Sequence, residues 1–183
     1  VNAIRNSKIG REYTYTIYND FSSDEGTRRL EEASRELGFE LVNLSDLTTH
    51  PSPNYLLVLQ MCQRKALEAD AHLLIVESDV VVRPDTLQSL YDGAEAREDC
   101  GIAASVTVDD AGEINYPYGF AKGREGETYE VKKHCSFCCS LLTNNLLKAY
   151  DFHTLNPEKH WFDVTISQQS RALGFTNYLF DNL

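Results

Sequence analysis

Apolar positions along this chain change period several times, and each change marks an element. Tyr13 to Tyr18 is dense in β-formers and gives way to Asn19-Asp20-Phe21-Ser22-Ser23-Asp24, a cluster of turn and cap residues. A strand stops there and a helix begins. Leu30, Ala33, Ser34 and Leu37 recur at i, i+3, i+4 and i+7, with Ser23 or Asp24 available as N-cap and Gly38 just past the end. Residues 39–44 alternate like a short strand, Pro51-Ser52-Pro53-Asn54 reads as a loop, and Leu59, Cys62, Ala66 and Ala69 share one face of a second helix.

The run Leu73-Leu74-Ile75-Val76-Glu77-Ser78-Asp79 has the continuous apolar character of a strand buried on both faces, and it ends in two acids spaced i, i+2. Pro84-Asp85 starts a third helix striped by Leu87, Leu90, Tyr91 and Ala94. Residues 101–108 read as a strand, returned through the turn Asp109-Asp110-Ala111-Gly112 to residues 114–118 as a hairpin. Residues 122–128 are polar, Gly-rich and aperiodic, which predicts a loop. Residues 137–142 form a strand or the start of a helix, and 151–160 a loop. Val164, Ile166 and Leu173 mark a last helix, stopped by Gly174 and followed by a strand to Phe180. Strands alternating with helices predict a single α/β domain over 1–183, a Rossmann-like, mainly parallel sheet flanked by helices with a small antiparallel hairpin.

Charge narrows the ligands. The formal net charge of −11 leaves no basic surplus for nucleic acid. A polyanionic ligand would need a bound cation to offset repulsion. No stretch approaches the length of apolar chain that spans a bilayer. The five cysteines, at 62, 100, 135, 138 and 139, form no regular framework, so the expectation is reduced thiols in the cytoplasm. His134, Cys135, Cys138 and Cys139 include a C-x-x-C, but a structural zinc site normally needs a second ligand pair, and small buried residues are the commoner use of such cysteines.

Glu77 and Asp79 are the strongest chemical signal. In open α/β sheets ligands bind beyond the carboxyl ends of strands, and hard cations such as Mn²⁺ or Mg²⁺ take carboxylate oxygens while keeping positions for water and phosphate. A solvated turn is the alternative at this point.

Three stretches, in order, resemble the nucleotide-sugar-binding domain of family 2 glycosyltransferases, which has the GT-A fold. Residues 19–27, Asn-Asp-Phe-Ser-Ser-Asp-Glu-Gly-Thr, look like that family's Asp-x-x-Ser-x-Asp-Gly-Thr loop with one extra residue. Glu77-Ser78-Asp79 looks like its D-x-D motif. Phe162-Asp163, followed by Arg171-Ala172-Leu173-Gly174-Phe175, looks like its Glu-Asp motif and helix end. The likeness covers residues 4–180. It implies that Asp79 binds a divalent metal held by the diphosphate of a nucleotide sugar, with Glu77 near the ribose or the metal. It implies that Asn19, Asp20, Ser22 and Asp24 lie on the nucleotide side, with either Asn19 or Asp20 facing the base. It also implies that Asp163 is the general base of an inverting transfer to a carbohydrate or lipid-linked acceptor. Departures are Glu77 for the first acid and Phe162 for the acid before the base. Trp161 and Phe162 form either a sugar-stacking wall or a packed corner.

The same likeness leads to the expectation that the domain is incomplete at both ends, with residues 1–7 the tail of a helix. A second copy of the chain is one source of the missing strand, which would make the protein a homo-oligomer. Relatives of this kind work in the cytoplasm or peripherally at the inner membrane face. Two functions follow: a metal-dependent glycosyltransferase using a nucleoside diphosphate sugar, with residues 122–128 an acceptor-side loop, or a non-catalytic nucleotide-sugar-binding module of the same fold.

Overall fold

This computed structural model describes residues 1–115, 118–124 and 126–181. Contacts divide the chain into two compact units, Gly10–Met61 and Val1–Ile9 with Cys62–Leu183. The sequence, having no linker, leads to the expectation of one domain. The division falls inside a helix, where composition leaves no mark.

In the unit Gly10–Met61, β1 (Thr16–Asn19) pairs in parallel with β2 (Glu40–Asn43) across the helix α2 (Asp24–Leu37). The signals at both ends of α2 are used as the sequence predicts. Ser23 caps it by accepting the Gly26 N–H at 3.2 Å, and Gly38 leaves it in the left-handed region at φ 71°. Tyr15 packs on buried Phe39 with ring centroids 5.6 Å apart. The loop 51–54 leads into α3 (Tyr55–Glu68), which carries the chain into the other unit.

That unit opens with α1 (Asn2–Arg5) and is built on a five-stranded sheet. Its strands are β3 (Leu73–Val76), β4 (Cys100–Ser105), β5 (Thr128–Glu130), β6 (Cys139–Leu142) and β7 (Thr176–Phe180), in the spatial order β3-β6-β4-β7-β5. Only β4 and β7 pair in parallel; β6 is antiparallel to both β3 and β4, and β5 to β7. The mainly parallel sheet expected from the sequence is therefore corrected to a mixed one. Alternation does find the β3 and β4 pair, which point the same way and are joined by α4 (Thr86–Glu95). It cannot see that β6, arriving from an irregular stretch, wedges between them. β3 ends this sheet, and its residues are partly exposed rather than buried on both faces.

Helices cover the sheet on two faces. Leu87, Leu90 and Ala94 of α4 pack with Cys100, Ala103, Leu141 and Phe180, and Ala3, Ile4 and Ile9 from the start of the chain join them. α6 (Phe162–Ala172) lies against β4 and β7. Its approach depends on Gly101, where a Cβ would stand 2.2 Å from the Ser170 hydroxyl and 2.8 Å from Phe175 Cβ. A buried polar seam fixes its register: Ser170 donates to Asn177 Oδ1 at 2.7 Å, and Asn177 Nδ2 donates to the Ser167 carbonyl at 2.9 Å. α5 (Asn144–Ala149), which the sequence reading did not anticipate, ends against Gln63. That side chain donates to the carbonyls of Leu147 and Tyr150 and accepts from the Phe152 N–H, satisfying groups that a helix end leaves open.

The expected hairpin is a single antiparallel bridge between Val108 and Ile114, and residues 116 and 117 of its return arm lie outside the described residues. Thr128, the last residue of the expected loop 122–128, opens β5, a strand for which the sequence offers no signal. No disulfide links the five cysteines. Among the described residues no helix is long and apolar enough to cross a membrane.

Because the neighbours of Gly101 are packed backbone-proximal atoms, Gly101→Ala is expected to cost about 1–3 kcal/mol in chemical denaturation. Gly119→Ala, with nothing within 4 Å of the added Cβ, is expected to be close to neutral by comparison.

Candidate functional site

β3 stops at Val76, and the acids stand just beyond it. The Glu77 N–H still pairs with the Cys138 carbonyl at 2.9 Å, prolonging the ladder to β6 by one bond. A turn closes next, with the Val80 N–H on the Glu77 carbonyl at 3.1 Å. Glu77 is left half-buried and Asp79 exposed. Both carboxylates reach the field of Cys138. Burial pushes that thiol up and the neighbouring charges of Glu77 and Asp79 push it further, while a hydrogen bond from Ser136 opposes them. The place is electronegative and supplies hard oxygen donors, which suits a divalent cation whose remaining positions go to water and phosphate. Among the described residues no three His, Cys, Asp or Glu side chains converge as a metal site on their own. That statement takes in His134, Cys135, Cys138 and Cys139. Cys139 is buried and its thiol is pushed to about 12 by that burial.

Asp79 opens on a cleft of about 400 Å³. One wall is the chain that follows it, Val80 to Arg83. The other is the end of β4 and the turn after it, with Val106, Thr107, Val108, Asp110 and Asn115. Cys138, Cys139 and Asp181 line it too. Valines supply its aliphatic surface, and more of its lining is polar than apolar.

Asp163 sits in the first turn of α6, after an N-cap at Trp161, and its Oδ1 accepts the Val164 N–H at 2.8 Å. An acid there complements the helix dipole. Asp163 does not line the cleft, but a short bridge ties its helix to the end of β3. The Cys135 N–H donates to Ser167 Oγ on α6 at 3.0 Å, and the Cys138 carbonyl takes the Glu77 N–H. Residues 135–138 can span at most about 14 Å between those anchors. Tyr118 braces the bridge from below, its hydroxyl accepting the Ser136 N–H at 2.6 Å while the ring is 1% exposed. That hydroxyl feels Cys135, Cys138 and Asp163 together; burial above all, and then these charges, hold its proton on far beyond the ordinary range. The helix that bears Asp163 and the end of β3 are thus connected through residues 135–138.

The aromatic pair before and at the start of α6 separates. Trp161 is 73% exposed, whereas Phe162 is 4% exposed and packs in the core, so the packed corner is the outcome for Phe162 and a sugar contact is not open to it.

In the other unit the nucleotide-side candidates also divide. Asn19 is buried and wholly used in holding the loop: its amide donates to Thr27 Oγ1 and Asn43 Oδ1, and its Oδ1 accepts the Ser22 N–H. Asp20 is tied to the loop 51–54, taking Asn54 Nδ2 at 2.7 Å and the Asn54 N–H and Ser52 Oγ at 2.8 Å each. Ser22 and Asp24 remain exposed beside the cap of α2.

Tyr118, Asp110, Asn115 and Asp181 lie near the site with no sequence signal to mark them, and Cys138, which the sequence offers only as part of the C-x-x-C, lies there as well. They sit in irregular chain with no period, and only the pairing of β6 beside β3 brings Cys138 to the acids. Comparison of the sequence with protein-family models and with curated proteins returns no match.

Two outcomes check this geometry. Tyr118→Phe takes the acceptor from the Ser136 N–H and is expected to cost about 1–2 kcal/mol in denaturant unfolding. For Asp20, partial burial opposes the charge, but the hydrogen bonds from Asn54 and Ser52, with His50 nearby, prevail and lower its pKa below the ordinary 3.8. The clasp on Asn54 is therefore complete above that value and is lost as pH falls through the lower folded value. The Asn54 amide proton, followed by NMR, should shift with a midpoint below 3.8.

Proposed function

We propose that this chain is a metal-dependent, inverting glycosyltransferase of the family 2, GT-A type, moving a sugar from a nucleoside diphosphate sugar to an acceptor hydroxyl. The observation that carries the reading is the pair Glu77 and Asp79 at the exit of β3, opening on a ligand-sized cleft and linked through residues 135–138 to the helix that bears Asp163. Mn²⁺ or Mg²⁺ held by Asp79 with Glu77 would neutralise charge on the departing nucleoside diphosphate. Asp163 is the base. With Oδ1 on the Val164 N–H, its Oδ2 is the atom that takes the acceptor hydroxyl's proton as that oxygen attacks the anomeric carbon. Attack from the face opposite the leaving group inverts that carbon. Exposed Trp161, beside Asp163, is an acceptor contact. Of the nucleotide-side candidates Asn19, Asp20, Ser22 and Asp24, the exposed ones are Ser22 and Asp24. Cytoplasmic work on a carbohydrate or lipid-linked acceptor belongs to the same proposal.

One observation favours the second reading, a nucleotide-sugar-binding module without turnover: Asp163 is not among the residues that line the cleft. Calorimetry with UDP and GDP, with and without Mn²⁺, followed by an assay of donor hydrolysis and transfer, separates the two. Binding of one nucleotide that requires Mn²⁺ and weakens at least about tenfold in Asp79→Asn is expected. Asp163→Asn should leave that binding intact and lower turnover by about 10²–10⁴-fold. Binding without hydrolysis or transfer selects the module. Failure of both nucleotides to bind sinks the proposal, and full turnover in Asp163→Asn removes the base.

A further inference from the structure

We infer that the cleft beside Asp79 is a saccharide subsite, and that Thr107, Asp110 and Asn115 on its far wall read the hydroxyls of an uncharged sugar acceptor. This rests on the glycosyltransferase reading and assigns to the cleft a part of the acceptor away from its reacting hydroxyl, since Asp163 and Trp161 do not line it.

The turn after β4 divides its two adjacent acids between two tasks. Asp109 Oδ1 accepts the Ala111 and Glu113 N–H groups at 2.9 Å each and so builds the turn. Asp110, next to it, lines the cleft. Thr107 and Asn115 are fastened to each other through the backbone, the Asn115 N–H on the Thr107 carbonyl at 2.9 Å, which places both side chains on the same wall. Among the described residues none of the three side chains has a hydrogen-bond partner. A carboxylate, a carboxamide and a hydroxyl held together in this way match the vicinal hydroxyls of a sugar, which donate and accept in alternation.

The rest of the lining decides the class of ligand. Val81, 85% exposed, and Val108, 46% exposed, present aliphatic surface to the cleft, a partner for the C–H face of a sugar ring. Among the described residues no aromatic ring lines it. Among the described lining residues Asp79, Asp110 and Asp181 outnumber the cation Arg83, so a second anion such as a uronic acid or a phosphorylated sugar is repelled. An uncharged sugar avoids that repulsion.

The test is NMR of the isotope-labelled chain, with and without UDP and Mn²⁺. The probes are the methyl glycosides of glucose, galactose, mannose and N-acetylglucosamine, and then those of glucuronic and galacturonic acid. At least one neutral glycoside should shift the Thr107, Val108, Asp110 and Asn115 amides saturably, and the uronides should bind about tenfold more weakly. Asn115→Ala should weaken the neutral glycoside about tenfold, and Asp110→Asn should narrow the gap between neutral and acidic sugars. Unperturbed amides elsewhere in each variant's spectrum show that it is folded. No saturable shift with any neutral glycoside under either condition overturns the inference, as does a uronide binding as tightly as its neutral counterpart. Because the series without nucleotide does not depend on donor binding, sugar shifts in a protein that binds neither UDP nor GDP would fail the transferase reading while the subsite stands. Nucleotide binding without sugar shifts would do the reverse.

Discussion

The arrangement of the larger unit depends on a buried polar seam between α6 and the sheet. Ser170, Asn177 and the Ser167 carbonyl satisfy one another where water cannot reach, and Ser167 Oγ takes the Cys135 N–H as well. Polar groups in such a place are costly unless all are paired, so the seam tolerates one register of α6 and penalises the others. Gly101 allows the approach by leaving out the Cβ that would strike Ser170. Apolar packing alone would let α6 slide. With the seam in place, the first turn of the helix, and Asp163 in it, is held relative to β4 and β7.

From the same anchor the order passes to the acids. Cys135 is fixed on α6, Ser136 on Tyr118 and Cys138 on Glu77, within four residues. The acids themselves sit where the ladder ends and backbone N–H groups turn away from the sheet, half-buried at Glu77 and exposed at Asp79. Their effect on the Cys138 thiol marks the spot as one that favours positive charge. A cleft lined by valines and by polar side chains lies next to this field.

The smaller unit uses its polar residues differently. Residues that the likeness to glycosyltransferases places toward a nucleotide are, in part, structural. Asn19 closes the loop 19–27 on β2, and Asp20 binds the loop 51–54. Phe21 takes a left-handed backbone at φ 60°, a conformation that costs a bulky residue about 1–2 kcal/mol, and the surrounding hydrogen bonds hold it there. Ser22 and Asp24, by contrast, are exposed, as are Phe21, Ser23 and Glu25 around them.

The sequence by itself determined the local elements whose signals are local. Ser23 and Gly38 bound α2, Gly174 stops α6 and turns the chain at φ 91° into β7, and the apolar run 73–76 is a strand that delivers two acids to its end. Caps, glycines and periodicity act over a few residues, so they are legible without a fold. Only the tertiary structure decided the mixed order of the sheet, because the insertion of β6 between β3 and β4 is a pairing between distant segments that no local pattern encodes. It decided the fates of Asn19 and Phe162, since a polar or aromatic residue reads the same whether its neighbours enclose it or leave it open. And it decided that Thr107, Asp110 and Asn115 share a cleft with Asp79, because the irregular chain that carries them has no period and takes its position from the strands on either side.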